Sequence, residues 1–210
     1  MSDLRLVIFD VDGTLVDSQA DILAAMNFAF GEVDQPAPPR EDILGIVGLS
    51  LEVAMPRLAP GLPAATYAQM VEGYKNSYVK LRAASGAAKS SPLYPNVRAV
   101  LDQLHAVPET LLGVATGKSR RGLDKLLEGH DLHSYFTTQQ VSDHHPSKPH
   151  PSMIETALSE TGVDPHHAVM VGDTSYDMDM ARAAGIAAIG VSWGYHPVDQ
   201  LGAAHQVIDD

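Results

Sequence analysis

The chain has 210 residues, 45% of them hydrophobic, enough for one globular domain with an insertion or for two small ones. Lys plus Arg number 14 and Asp plus Glu 26, a formal charge of −12 that argues against nucleic acid or an anionic membrane as partner. No cysteine is present, which excludes disulfides, a thiolate nucleophile and a cysteine-held metal.

The first element is a short apolar run, Leu6-Val7-Ile8-Phe9, whose length and β-branched content predict a buried strand. It stops at Asp10-Val11-Asp12-Gly13-Thr14. Two carboxylates this close are costly to bury unless a cation or hydrogen-bond donors sit between them. Open α/β sheets bind ligands outside the carboxyl ends of their strands. Asp10 and Asp12 are therefore expected at the mouth of a crevice, on a turn that Gly13 permits. The ordinary alternative is an Asp-Gly turn with Thr14 or Ser18 capping the next helix.

That helix is predicted over residues 18–30, with Ser18 and Asp21 set as a capping box and Ile22, Met26, Ala29 and Phe30 as its apolar stripe. Pro36-Ala37-Pro38-Pro39 breaks it. Residues 41–44, 51–58 and 65–81 predict further helices, and Gly45 and Gly48 bracket a loop between the first two. Residues 84–92, rich in Ala, Ser and Gly, are expected to form a flexible linker. An all-helical block, 16–91 with its linkers, thus separates residues 1–15 from residues 92–210.

Beyond Pro92 the pattern alternates. Helices are predicted over 97–105, 120–127, 151–161 and 176–184, and strands over 111–115, 135–137, 168–171, 186–191 and, at the edge, 206–208. Strands alternating with helices imply a parallel sheet covered on both faces, so the fold class is α/β, a Rossmann-like core with an inserted all-helical cap.

Polar chemistry stands at four places: Asp10 and Asp12 after the first strand, Thr116-Gly117-Lys118 after the second, Ser147-Lys148-Pro149 in a loop, and Asp173 with Asp177 four residues on. Each has a bland explanation, as a helix cap, a solvated lysine or a charge at a helix start. Their coincidence at one sheet edge is what phosphoryl transfer needs. Carboxylates suit a hard, oxygen-preferring divalent cation. A hydroxyl and backbone N–H groups at a helix start, Thr116 and Gly117, suit phosphate oxygens, and a lysine adds charge. Asp10 is placed to attack phosphorus.

These motifs resemble the haloacid dehalogenase-like hydrolase superfamily, on its phosphatase branch, over essentially the whole chain. The matching segments are Asp10-Val11-Asp12-Gly13-Thr14, Thr116, Lys148 and Gly172-Asp173-Thr174-Ser175-Tyr176-Asp177. The resemblance implies a mobile cap and Mg²⁺. It implies Asp10 as nucleophile and metal ligand, and Asp12 as general acid and then base, with its backbone carbonyl on the metal. Thr116, Gly117 and Lys148 would bind phosphate, Asp173 the metal, and Asp177 would steady the metal shell or Lys148. The acid at Asp12 disfavours a dehalogenase, since those relatives usually lack it. Val114-Ala115-Thr116-Gly117-Lys118-Ser119 and Ser147-Lys148-Pro149-His150-Pro151 look most similar to phosphoglycolate phosphatases.

The function expected is hydrolysis of a small phosphorylated metabolite, with 2-phosphoglycolate one candidate. A pyrophosphatase, a nucleotidase, a phosphosugar mutase and a non-catalytic binding module are the alternatives. Gly45, Val47, Gly48 and Leu49 are the candidate specificity residues of the cap, and Arg57, Lys75 and Lys80 the cap cations within reach of an acidic leaving group. The loop histidines (His144, His145, His150, His166 and His167) are expected at the surface. Met170, Met178 and Met180 are expected in the core, and Trp193 and Tyr195 in packing roles. With no signal pattern and no membrane-length apolar run, a cytoplasmic monomer or weak homodimer is expected.

Overall fold

The structure, a computed structural model, describes residues 4–210. Its strands are β1 (Arg5–Phe9), β2 (Thr110–Thr116), β3 (Phe136–Val141), β4 (Ala168–Gly172), β5 (Ala187–Val191) and β6 (Gln206–Ile208). All pair in parallel, in the order β3-β2-β1-β4-β5-β6. Between β1 and β2 come α1 (Gln19–Gly31), α2 (Arg40–Leu44), α3 (Leu51–Leu58), α4 (Ala64–Ser85), α5 (Ala87–Ser90) and α6 (Val97–His105). Later come α7 (Arg120–His130), α8 (Ser152–Thr161) and α9 (Ser175–Ala183).

β1 is central because both its faces are apolar. Leu6 and Ile8 enter one core cluster with Met153 and Ile154 of α8 and Met178 and Met180 of α9. Phe9 enters the opposite cluster with Leu101 of α6 and Leu123, Leu126 and Leu127 of α7. Fully burying such side chains contributes ~1.5–3 kcal/mol each. The strand order reverses at β1, whose two neighbours, β2 and β4, lie on either side of it. Such a switch point is where open α/β sheets leave a crevice at their carboxyl ends.

A third cluster holds α1 to α4 together through Ile22, Met26, Phe30, Met55 and Met70. This helical insertion leaves and rejoins the sheet at one place. Asp17 N–H donates to the Pro92 carbonyl at 2.9 Å, and Tyr94 N–H donates to the Leu15 carbonyl at 3.0 Å.

Three expectations are corrected. The linker foreseen at 84–92 is largely helical: α4 continues to Ser85, Gly86 breaks it with φ +82, and α5 adds a further turn. Alanine and arginine are strong helix formers, and their run extended the helix. Ser18 makes no side-chain cap bond to α1, because its hydroxyl donates to Asp12 Oδ1 instead. A cap hydroxyl must accept from a backbone N–H of the first turn, and the hydroxyl turned toward Asp12 does not reach one. β3 is longer than foreseen, since the polar run Thr137-Thr138-Gln139-Gln140 pairs with β2 in spite of its composition.

Candidate active site

Asp10 follows β1 directly, and its N–H donates to the Val171 carbonyl of β4 at 2.9 Å. Asp173 follows β4. Both carboxylates are buried. The turn after Asp10 depends on Gly13, at φ +86, where a Cβ would also stand 2.2 Å from Asp173 Oδ2. From the loop after β5, Gly194 packs so closely that a Cβ would lie 2.0 Å from that of Asp173. Asp173 Oδ1 accepts from Thr14 Oγ1 at 2.9 Å, and Oδ2 accepts from Tyr195 N–H at 2.8 Å. Replacing Gly194 with alanine is therefore expected to cost ~3 kcal/mol or more, through overpacking against a fixed carboxylate. Denaturant melts measure this. A loss under 1 kcal/mol would show the loop to be slack.

Lys148 is fully enclosed. Its Nζ lies 2.9 Å from Asp10 Oδ1 and donates to Asp177 Oδ1 at 2.7 Å. The other oxygen of Asp177 accepts from the N–H and hydroxyl of Thr174, closing a capping box on α9. Oxygens of Asp10, Asp173 and Asp177 lie within 4.8 Å of one another. Three buried carboxylates face this one ammonium, so full ionisation leaves a formal charge of −2. Burial, opposed by Lys148 and reinforced by the charge of Asp177, pushes the Asp10 carboxyl up to about 7. Burial and the charges of Asp10 and Asp177 hold Asp173 well above the usual carboxylate range. Burial would push Lys148 down, but the two carboxylates it touches hold it above the usual range for lysine.

Asp10 Oδ2 is buried without a hydrogen-bond partner among the described residues, while Oδ1 is met by the Lys148 ammonium. A pocket of clustered carboxylate oxygens with an unmet acceptor on Asp10 fits a hard divalent cation such as Mg²⁺.

Asp12 sits above this cluster, on the floor of a cleft of about 680 Å³ between the sheet edge and the helical insertion. Its Oδ1 accepts from Ser18 Oγ and lies 2.8 Å from Lys118 Nζ. Thr116, Gly117 and Lys118, at the end of β2, line the same floor. Burial lowers the Lys118 pKa, but the charge and hydrogen bond of Asp12 and the neighbouring Tyr78 together leave the group raised. Ser119 caps α7 by accepting from Gly122 N–H. The six core acids, lysine and threonine picked from the sequence thus meet at one place, with Gly117 beside them.

Of the insertion's candidates, Val47, Gly48 and Leu49 border the cleft. Gly45 turns to the core instead: its carbonyl accepts from Tyr176 Oη at 2.9 Å and stands 3.1 Å from His196 Nε2. A Cβ on Gly117 would lie 2.7 Å from the Gly48 carbonyl, so the loop rests on the phosphate-binding candidate itself. Among the three cations singled out, Lys75 lines the cleft, beside Glu52 and Glu72. Arg57 lies over Tyr176, and Lys80 over Phe28.

Met170, Met178 and Met180 fill the core. His144, His150, His166 and His167 are exposed, while His145 is half-buried between Ser152 and Gln140. Trp193 packs against Tyr94, as expected, and donates to the Thr14 carbonyl. The contributions of Ser18, Lys118, the Tyr195 amide and His196 had no sequence pattern to announce them. Each acts across the fold, and only the glycines near the loop after β5 hint at close packing.

A family model for haloacid dehalogenase-like hydrolases matches residues 7–191. A protein of Dickeya dadantii named "Probable phosphatase IndB" is 39% identical over 98% of this chain and 89% of its own. A "Phosphoglycolate phosphatase" of Mannheimia succiniciproducens is 30% identical over 93% and 88%. A solved haloacid dehalogenase-like family hydrolase from Streptococcus pneumoniae superposes with a TM-score of 0.83 at 27% identity, covering 100% of this chain and 96% of that one. With the sheet order and the clustered acids already described, the chain belongs to the haloacid dehalogenase-like hydrolase family.

Proposed function

We propose that this protein is a Mg²⁺-dependent phosphomonoesterase that acts on a small phosphorylated metabolite through an aspartyl-phosphate on Asp10. The observation that carries this is the buried cluster of three carboxylates around one ammonium, in which Asp10 keeps Oδ2 free toward the cleft side of the sheet edge. The Dickeya and Mannheimia relatives, named a phosphatase and a phosphoglycolate phosphatase, support the reading. 2-Phosphoglycolate is accordingly the first substrate to try.

Asp10, Asp173 and the Asp12 carbonyl would hold the cation. When bound it supplies positive charge to the phosphate and to the nucleophilic carboxylate. Thr116, the Gly117 amide and Lys148 orient the phosphate. An Asp10 oxygen attacks phosphorus as the bond to the leaving oxygen breaks, and Asp12 gives that oxygen its proton. Water then attacks phosphorus and returns a proton to Asp12, which frees phosphate and the Asp10 carboxylate. A positioned acid and base contribute ~10²–10⁴-fold. Ser18 and Lys118 fix the Asp12 side chain for both transfers. Asp177 positions Lys148.

Residues 1–15 and 92–210 form the core in this reading. Residues 16–91 form a cap that shields the first step from water and reads the leaving group. Turnover of p-nitrophenyl phosphate tests the reaction. Inorganic phosphate is expected with Mg²⁺, falling by more than about 100-fold in EDTA. Equal rates in both, or, with a sugar phosphate as substrate, an isomerised sugar phosphate in place of free phosphate, would overturn the proposal.

A further inference from the structure

The last turn of helix α4 carries Arg82 to the wall of the cleft. The side chain is 8% exposed, yet among the described residues Nε and Nη2 have no hydrogen-bond partner. Nη1 donates to the Gly122 carbonyl in the first turn of α7 at 2.9 Å. The face of the guanidinium lies over the Tyr78 ring, 5.2 Å from its centroid. Stacking consumes the face and leaves the edge. Nε and Nη2 are the two donors of one edge of the planar fork, the edge that grips a carboxylate or phosphate bidentately. Leaving two charged donors buried and unmet is costly unless an incoming acceptor meets them.

Lys118 adds to the same spot. Its Nζ lies 5.0 Å from the Tyr78 centroid and 3.3 Å from Tyr78 Oη, besides its contact with Asp12. An ammonium has three donors, so one remains. The acid that feels both charges, Asp21, is engaged by the Ser90 hydroxyl. Tyr78 thus holds two cations on the wall of the cleft, one of them, Lys118, beside the proposed proton donor.

We propose that Arg82, with Lys118, forms a second anion subsite that receives a carboxylate or second phosphate on the leaving group. This rests on the phosphomonoesterase reading and narrows it: the substrate is a phosphate ester of an acid or a bisphosphate. The cleft, at about 680 Å³, is lined by both Arg82 and the phosphate-binding candidates Thr116 and Gly117.

The test uses the unmodified protein first. Terminal phosphate esters of carboxylic acids two to six carbons long are compared with their primary amides and with the bisphosphates of the matching diols. The acid or the bisphosphate is expected to exceed the amide by ~30-fold in kcat/KM at one preferred length, mostly through KM, as charge-assisted bonds allow. Which of the two leads identifies the anion. Arg82→Gln is expected to bring acid and amide within threefold of each other, and Arg82→Lys to restore part of the preference. These are ratios that a merely loosened fold would not change. Calorimetry with the corresponding phosphonates makes the same comparison without turnover. Amides as good as acids at every length, or a preference that survives Arg82→Gln, would overturn the subsite. No hydrolysis of any ester, with an Arg82-dependent preference still seen in phosphonate binding, would instead overturn the phosphatase reading and leave the subsite standing.

Discussion

Asp10→Asn is expected to abolish turnover while leaving the fold intact. Under the proposed mechanism the carboxylate oxygen forms the bond to phosphorus, and an amide at the same position is a far weaker nucleophile. The loss should be on the order of 10⁴-fold or more in kcat, the scale on which covalent mechanisms fail without their nucleophile. The fold should survive because Lys148 keeps its bond to Asp177 and the backbone N–H of residue 10 keeps its bond to Val171. A steady-state assay with Mg²⁺, beside circular dichroism of the same sample, checks both halves. Comparable activity in the variant would exclude Asp10 as the attacking group.

The second large effect concerns stability without metal. Asp10 is pushed up to about 7, chiefly by burial. An unfolded aspartate titrates near 4, so between about pH 4 and 7 the folded chain holds a proton that the unfolded chain has released. The stabilisation linked to that proton is fully present below about pH 4 and is lost as pH rises through 7. The groups facing Asp10 and Asp173 are Lys148, Asp177, Thr14 and the Tyr195 amide, and only Lys148 among them is cationic. In EDTA, wild type should therefore fall behind Asp10→Asn as pH rises from 5 to 8. The gap should reach on the order of 4 kcal/mol, or about 10 °C in Tm for a chain this size. Mg²⁺ should close that gap at pH 8, because the cation favours the ionised form. Melts of both proteins across pH, with EDTA or Mg²⁺, measure it. A gap that stays constant from pH 5 to 8 would mean that the cluster is solvated and not buried.

Much of this site could be read from the chain because its acids, threonine and lysine sit where short apolar runs end. Asp10 and Asp173 close β-branched or apolar segments, and Thr116 closes a third. A strand's length and its terminus are local properties, visible without a fold. Arg82 was hidden for the opposite reason. It lies in Arg-Ala-Ala-Ser-Gly, which resembles a linker in composition, although its alanines favour the helix that delivers the guanidinium to the cleft. Lys118 was visible as a residue, but its pairing with Asp12 joins positions 106 apart in the chain, which no local pattern encodes. Ser18 misled because a hydroxyl three residues before an acid favours a cap locally, whereas the folded chain offered it a buried carboxylate. The loop after β5 gave no periodic signal at all, yet its amide, phenol and imidazole touch Asp173, Ser18 and Gly45.

The neighbouring crossings at Asp17–Pro92 and Leu15–Tyr94 have a wider consequence. A chain that returns to within one hydrogen bond of its departure point can be excised there and rejoined with a short turn, without moving a strand of the sheet. The helical module is thus topologically a side branch. Exchanging it for another, in evolution or by splicing, alters what the catalytic floor faces and leaves the floor itself in register.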